Sequence, residues 1–308
     1  TAKNMSKRST MTSVFAKMLG ISICTVMLAG GIIPTEAQAS SLPWGDNAKA
    51  KNGTVAIGDN STAMADNSVA LGTGATVTET NRAGVGNVQG VAIGRNATVE
   101  VNNGVAIGNL TKVASLNGFA LGNTSWAGYD EAGKYVGADN DQAFGTNARA
   151  WGGSSMAFGN NAKASKGGAV AMGNGSQSRG DWGVAIGNGA KALAAGARAI
   201  GANSTADATN AAAMGWDSAA SGEASIAIGE TAKATKNNSI AMSKAAIAAA
   251  DDSIAIGKNA LVDTNQQRSI ALGANSKTAN VVSTPNQFLL IFFARLNENF
   301  IFFLIILK

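Results

Sequence analysis

The chain has 308 residues, of which 45% are hydrophobic and 14% charged, with 38 glycines and a formal net charge of +5. Histidine is absent and Cys24 is the single cysteine, so the sequence offers neither the commonest general base nor a disulfide framework. Residues 40–308 hold 20 basic against 18 acidic residues, which argues against a nucleic-acid partner. We therefore predict a protein that is not an enzyme and needs no cofactor.

Residues 1–39 are predicted to be a secretory signal peptide. A basic start is followed by an uncharged apolar stretch at 18–33, and the small residues Ala37 and Ala39 predict cleavage before Ser40. A transmembrane anchor is the alternative, although the apolar stretch is short for one. The segment contains Cys24, so the mature chain would have no cysteine.

From residue 50 onwards one short apolar run recurs, as in Ile226-Ala227-Ile228-Gly229. Its copies are 14 residues apart throughout 145–257, and a period sustained over fifteen copies indicates a solenoid. We expect the final glycine of each run to have a positive φ, or to approach the next coil too closely for a side chain. These turn glycines are Gly58, Gly72, Gly94, Gly108, Gly122, Gly145, Gly159, Gly173, Gly187, Gly201, Gly215, Gly229, Gly257 and Gly273, and one copy has Ser243 instead.

Each repeat is predicted to hold two short strands and two turns, because runs of three to five residues are too short for helices. One strand, such as Val55-Ala56-Ile57, is apolar on both faces, whereas its partner, such as Ala162-Lys163-Ala164, is apolar on one. Since a thin coil has one interior, the second apolar face predicts an association surface between copies of the chain. The pattern does not decide which residues of the strand face the partner. The candidates are Val55, Ile57, Val184, Ile186, Ile226 and Ile228.

The repeat Ser225-Ile226-Ala227-Ile228-Gly229, with partners such as Asn147-Ala148-Arg149-Ala150, resembles the head repeats of YadA-like trimeric autotransporter adhesins over residues 47–280. The resemblance implies an all-β head at 40–285, a left-handed parallel β-roll of about fifteen 14-residue coils assembled as a side-by-side homotrimer. It implies export to the surface of a Gram-negative bacterium, at the outer membrane if an anchor is supplied. The implied role is attachment to host extracellular matrix proteins such as collagen, fibronectin or laminin, or to host cells.

Two insertions interrupt the period, near residues 73–90 and 123–142. Aromatic residues of the second are candidates for ligand contact, with packing against the roll as the alternative. These residues are Trp126, Tyr129 and Tyr135. The resemblance implies instead that the repeated segments bind matrix, and its candidates are Asn67, Ser68 and Asn103. The acidic residues of the second insertion would suit calcium, but the nonapeptide calcium repeat is absent and we predict no metal site.

The segments outside the repeats receive separate interpretations. Pro43 and Trp44 are candidates for a cap on the first coil, with a disordered leader as the alternative. Residues 286–308 are apolar and contain no glycine. They show no alternating strand pattern, and we interpret them as an anomalous tail produced by truncation or frameshift.

A non-adhesive structural or ice-binding surface solenoid is the alternative function. Ice binding favours a flat array of identical Thr-x-Thr rows. The second strand instead varies among Ala-Lys-Ala, Ala-Arg-Ala, Ser-Gln-Ser and Thr-Val-Glu, which favours the adhesin head.

Overall fold

The computed structural model describes residues 41–51, 53–78, 89–278, 288–296 and 299–307. The predicted signal peptide, with Ala37, Ala39 and Ser40, lies outside these residues, as does a large part of the first insertion. The chain divides into two compact units, residues 1–147 and 148–308. Within the described ranges, no helix is long and apolar enough to cross a membrane.

The first unit is a parallel β-solenoid in which two kinds of short strand alternate along the chain. Its odd-numbered strands pair in parallel to form one sheet, which we name its A sheet, and its even-numbered strands form the B sheet. The described strands are β1 (Leu42–Trp44), β2 (Lys49–Ala50), β3 (Val55–Ile57), β4 (Thr62–Ala63), β5 (Val69–Leu71), β6 (Thr76–Val77), β7 (Gly90–Ile93), β8 (Thr98–Val99), β9 (Gly104–Ile107), β10 (Lys112–Val113), β11 (Phe119–Leu121), β12 (Trp126–Ala127) and β13 (Gln142–Phe144).

The second unit has the same arrangement, again with an odd-numbered A sheet and an even-numbered B sheet. Its described strands are β14 (Arg149–Ala150), β15 (Met156–Phe158), β16 (Lys163–Ala164), β17 (Val170–Met172), β18 (Gln177–Ser178), β19 (Val184–Ile186), β20 (Lys191–Ala192), β21 (Arg198–Ile200), β22 (Thr205–Ala206), β23 (Ala212–Met214), β24 (Ala219–Ala220), β25 (Ile226–Ile228), β26 (Lys233–Ala234), β27 (Ile240–Met242), β28 (Ile247–Ala248), β29 (Ile254–Ile256), β30 (Leu261–Val262) and β31 (Ile270–Leu272). Seven successive A strands, β15 to β27, begin 14 residues apart, as does β29. The predicted all-β parallel solenoid of 14-residue coils is therefore confirmed.

Alanine fills the interior of both units. The middle residue of the A strands, such as Ala56 or Ala227, has no exposed surface, whereas the residues that flank it point outwards. Successive strands place alanine on alanine, as Ala185 on Ala199. No fully buried side chain among the described residues is larger than valine, so the two sheets lie too close together for isoleucine or leucine between them. This spacing decides the face of the A strand that the sequence left open.

Two features favour glycine after the A strands, as Gly187 and Gly58 illustrate: the backbone has a positive φ, and the next coil leaves too little space for a Cβ atom. Gly187 has a φ of +132°, and a Cβ there would lie 2.5 Å from the carbonyl oxygen of Gly201 in the next coil. Gly58 is similar, with a φ of +123° and a Cβ position 2.7 Å from the Gly72 carbonyl oxygen. Both properties expected of these glycines therefore occur. Ser243, which stands in a glycine position, has a φ of +106°.

In three coils of the first unit, a larger side chain at one interior position is accompanied by a smaller residue at a second interior position. A valine replaces the alanine found in most B strands, and the next A strand is then preceded or begun by glycine in place of serine or threonine. A Cβ on Gly104 would lie 2.7 Å from Cγ1 of Val99 and 3.1 Å from Cγ1 of Val113. The exchange keeps the filled volume of the interior nearly constant, as close packing requires. The pairs are Val77 with Gly90, Val99 with Gly104, and Val113 with Gly118.

Adding a methyl group at Gly104 is expected to destabilise the chain by about 1–3 kcal/mol, because Gly104→Ala overpacks the interior against Val99. Adding Val99→Ala is expected to recover much of that loss by restoring the interior volume. A double-mutant cycle from urea unfolding of the full chain measures the coupling. Gly118→Ala is the matched control, because its Cβ would meet Val113 and Ser115 instead. Equal rescue of both glycine variants by Val99→Ala would contradict the pairing.

Of the two residues predicted to cap the first coil, Pro43 has a suitable position and Trp44 does not. Pro43, which has no backbone N–H, lies in β1 and so removes a donor from the first strand of the A sheet. Trp44 is in register with Ile57 and is 65% exposed, so its side chain does not cover the end of the solenoid. The predicted role of Trp44 in the cap was therefore wrong, since its position in the strand directs it to the outer surface.

The apolar tail forms two strands, β32 (Phe288–Leu296) and β33 (Asn299–Leu307), paired antiparallel with Phe292 opposite Phe303. The segment forms strands although its sequence shows no alternating strand pattern. Continuous apolar runs carry no period-two signal, so their strand character cannot be read from alternation.

Candidate adhesive surface

The outer face of each A sheet carries two columns of large side chains, most of them apolar. In the first unit, Val55 and Ile57 flank the buried Ala56 and stack on Val69 and Leu71 of the next strand. This stacking alone leaves them half-buried. The two association candidates of this unit therefore lie together on one outer face.

The candidates of the second unit, Val184, Ile186, Ile226 and Ile228, lie on the corresponding face of its A sheet. Exposure is greatest in the column formed by the third residue of each strand, where Ile186 is 37% and Leu272 50% exposed. Partly exposed apolar side chains recur in this column from coil to coil, and a contiguous exposed apolar patch is typical of an association surface.

The turns form a second repeated surface, which is polar. Asn67 and Asn103 are exposed and have φ values of +55°, a conformation that asparagine tolerates better than most residues. Ser68 is 1% exposed and donates its hydroxyl to the Ala65 carbonyl oxygen at 2.6 Å. This burial removes Ser68 from the predicted ligand contacts, because the residue fills the coil interior.

Turn asparagines also bond to one another between coils. The Asn103 amide donates to the side-chain oxygen of Asn117 at 2.9 Å, and Asn117 donates to that of Asn140 at 3.1 Å. An asparagine amide has two N–H donors, so each ladder member keeps one for another partner. These hydrogen bonds therefore fix the orientation of the turn side chains, and the second N–H of each donating amide can still bind a ligand.

The second insertion contains a small hairpin at residues 128–137. Tyr129 and Tyr135 form an antiparallel bridge, and the Asp130 N–H donates to the Lys134 carbonyl oxygen at 3.0 Å. The Asp130 carboxylate accepts the backbone N–H groups of Ala132 and Lys134, at 3.0 and 2.8 Å. Asp130 thus closes the turn by bonding to the backbone that follows it.

The aromatic residues of this insertion pack down on the coils. Tyr129 is 4% exposed, and its hydroxyl donates to a Glu100 carboxylate oxygen at 2.5 Å. Trp126 meets Tyr129 edge to face with ring centroids 6.1 Å apart, and Lys112 Nζ lies 5.0 Å from the Trp126 ring. Tyr129 is therefore removed from the predicted ligand contacts, whereas the half-buried Trp126 and Tyr135 keep part of their surface in water.

Sequence reasoning missed Glu100 and Lys112 as partners of this cluster. Lys112 lies 14 residues before Trp126 and in register with it, so the repeat period contains the signal for that contact. Glu100 lies 29 residues before Tyr129, one residue more than two periods, so this pair is not in the register of the repeat. Among the described residues, no group of three or more potential ligands could hold a metal ion.

These features define a class of protein, a parallel β-solenoid whose coils have a narrow alanine interior, a glycine column at one turn and an apolar outer face.

The family model of the YadA head domain repeat, which describes two copies of the repeat, matches residues 50–75, 87–111, 139–162, 152–176, 164–190, 192–218, 220–242 and 244–260. The matches cover more than half of the chain, and the chain belongs to this family. A search of the curated proteins gives no significant match. The family is structural and adhesive rather than enzymatic, and it implies an exported bacterial surface protein with a role like that of the trimeric autotransporter adhesins.

Proposed function

We propose that the chain is an adhesin head that attaches bacteria to host extracellular matrix proteins, such as collagen, fibronectin or laminin, or to host cells. The observation that carries the proposal is the match to YadA head repeats over coils whose turns present exposed side chains at each step. A surface of this kind offers many similar contacts, which suits an extended ligand.

The proposal includes a side-by-side homotrimer. The outer faces of the A sheets supply the contact, because Ile186 and its equivalents leave about a third of their surface in water on a single chain. Removing apolar surface from water contributes about 25 cal/mol per Å², part of which offsets the entropy that the chains lose on association. Covering these columns with two further copies leaves the turns and the B sheets for ligands.

Ligand contact is proposed to be distributed over the turns. The apolar residues of each repeat are committed to the interior or to the outer face of the A sheet, so exposed turn residues such as Asn67 and Asn103 are able to reach a ligand. Each contact is weak, and avidity arises from repetition along the chain and across three chains.

Export is part of the proposal. Residues 1–39 are proposed to be removed between Ala39 and Ser40, after which the head is displayed at the cell surface of a Gram-negative bacterium by an outer-membrane anchor. N-terminal sequencing of the exported protein tests the cleavage position, and a first residue other than Ser40 would contradict it.

A non-adhesive solenoid, for instance an ice-binding one, is the second candidate. The B sheet of the first unit does place Thr62, Thr76 and Thr98 in register. The next position holds Lys112, which ends the threonine column. Thermal hysteresis of the purified chain, measured beside matrix binding, separates the two functions.

Excising residues 128–137 is expected to leave attachment to immobilised collagen, fibronectin and laminin within about twofold, because contacts spread over many coils add avidity in small steps. Removing one whole coil, residues 188–201, is expected to weaken attachment gradually, and Asn67→Ala is expected to change it little. The full chain and its variants are compared in one plate assay.

Since Tyr129 is buried, its removal also tests folding, and circular dichroism must show that the excised variant keeps its β structure. Tyr135→Ala is the milder companion, because Tyr135 is only half-buried. If attachment disappears in a folded excision variant, the insertion is a focused site with aromatic hot spots and the distributed mode fails.

A further inference from the structure

The outer face of the second unit's B sheet carries a column of basic side chains. Arg149, Lys163, Gln177 and Lys191 occupy the same position in four successive B strands, with their Cα atoms in register. Neighbouring strands of a sheet lie about 4.8 Å apart. Three cationic side chains are therefore aligned within four coils of the same face.

The adjoining turns add two more cations. Lys166 and Arg179 are exposed, and the acidic residue among them, Asp181, accepts the Gly167 N–H at 3.1 Å through its carboxylate. Residues 148–192 contain five basic residues and one acidic residue, a net charge of +4. The rest of residues 40–308 has a net charge of −2. Basic charge is thus concentrated on one part of the chain.

Folding does not require cations at these positions. The same B-sheet position holds Ala219 in β24 and Ile247 in β28, so the coil accepts apolar residues there. Like charges directly opposite each other on neighbouring strands destabilise a sheet. The stability of the coil therefore does not explain why Arg149, Lys163 and Lys191 recur at this position.

An exposed aromatic ring lies in one of the same turns. Trp182 is 75% exposed, and a Cβ on Gly168 would lie 2.5 Å from its ring, so the indole rests on the glycine backbone of the preceding coil. One ring face is thus supported by the chain while the other meets solvent. A flat apolar ring beside basic groups suits a ligand that carries both sugar rings and negative charges.

We propose that this basic face, formed by Arg149, Lys163, Lys166, Arg179, Lys191 and Trp182, binds a linear sulfated polysaccharide. Sulfate groups along the ligand meet the guanidinium and ammonium groups, and a sugar ring stacks on Trp182. The inference goes beyond attachment to matrix proteins and does not depend on it. Sequence-tolerant binders of single-stranded nucleic acid stack successive bases on several aromatic rings. The single strongly exposed tryptophan of this segment favours the polysaccharide.

Heparin is the probe that tests the proposal. The full chain is expected to bind immobilised heparin at about 0.15 M salt and to be released as salt screens the contacts. The triple variant Lys166→Gln, Arg179→Gln and Lys191→Gln is expected to bind at least about tenfold more weakly, because rim charges govern such electrostatic encounters. Lys233→Gln, Lys236→Gln and Lys258→Gln together make the matched control, since these exposed residues change the net charge equally.

Two further ligands identify the chemistry that is recognised. Hyaluronan, which carries carboxylates but no sulfate, is expected to bind at least about tenfold more weakly than heparin, and a single-stranded oligonucleotide is expected to bind more weakly than heparin. Trp182→Asn, which suits the φ of +58° at this turn, is expected to weaken heparin binding about threefold.

Three results would overturn the proposal. They are no retention of the unaltered chain on heparin, equal losses in the two triple variants, and tighter binding of the oligonucleotide than of heparin. Circular dichroism establishes that both triple variants are folded. If the triple variant at the basic face does not fold, Lys191→Gln alone against Lys233→Gln gives the same comparison with a smaller difference, and equal affinities would overturn the proposal.

Discussion

Replacing Ile186 and Ile228 together with aspartate is expected to convert the proposed homotrimer into monomers at micromolar concentration. On a single chain these side chains lie on the outer face of the A sheet, so a carboxylate there is solvated and the coil interior is undisturbed. In a trimer the carboxylates are buried without partners. Each then costs several kcal/mol even after relaxation, and three chains bring six of them.

Sedimentation equilibrium of the full chain measures this loss of association, and circular dichroism shows that the double variant keeps its β structure. Lys163→Glu is the control, because Lys163 lies on the outer face of the B sheet, away from the proposed contact. It is expected to leave the trimer intact. A monomeric unaltered chain, or a double variant that still forms trimers, would contradict the proposed interface.

Gly187→Ala is expected to lower the free energy of unfolding by about 2–4 kcal/mol, through backbone strain and overlap with the next coil. The added Cβ would lie 2.5 Å from the Gly201 carbonyl oxygen at a φ of +132°. The Ser243 position shows that a side chain is tolerated when φ falls to +106°, which limits the expected loss. Guanidinium unfolding of the full chain measures the difference.

Ser243→Gly gives the companion result of opposite sign. It is expected to stabilise the chain by about 1 kcal/mol, because glycine removes the strain of a positive φ at a serine. Gly175→Ala is a further comparison, since Gly175 has a φ of +65° but nothing within 4 Å of its Cβ position. Gly175→Ala therefore measures the cost of a positive φ at alanine without the cost of a steric clash with the next coil. If Gly187→Ala costs no more than Gly175→Ala, close approach between coils is not what requires glycine.

The repeat period carried most of the fold information. It predicted the strands, the turns and the glycine column, because every coil obeys the same local constraints. It did not decide which face of Val-Ala-Ile is internal, since all three residues are apolar. The decisive quantity is the spacing between the sheets, which admits Ala185 but not Ile186, and that spacing is a property of the assembled coil.

The insertions and the tail were less predictable for a different reason. Local pattern does not show that Tyr129 reaches Glu100, because that contact joins residues 29 positions apart and depends on how the hairpin folds back. The strands of the tail, β32 and β33, lack the alternation from which strands are recognised. Ser68 was placed among ligand contacts by its place in a repeated motif, whereas its hydroxyl serves the Ala65 carbonyl inside the coil.

The alanine interior has an evolutionary consequence. In the second unit, the interior alanine of one coil lies in register with the interior alanines of the coils before and after it, as Ala199 does with Ala185 and Ala213. The interior surfaces that successive coils present to each other are therefore nearly the same. Unequal recombination that adds or removes one 14-residue coil therefore creates a junction already compatible on both sides. Such a gene can change length by whole coils in a single event without compensating substitutions. Selection can therefore act on heads of different length, while the contacts that stabilise each coil stay the same.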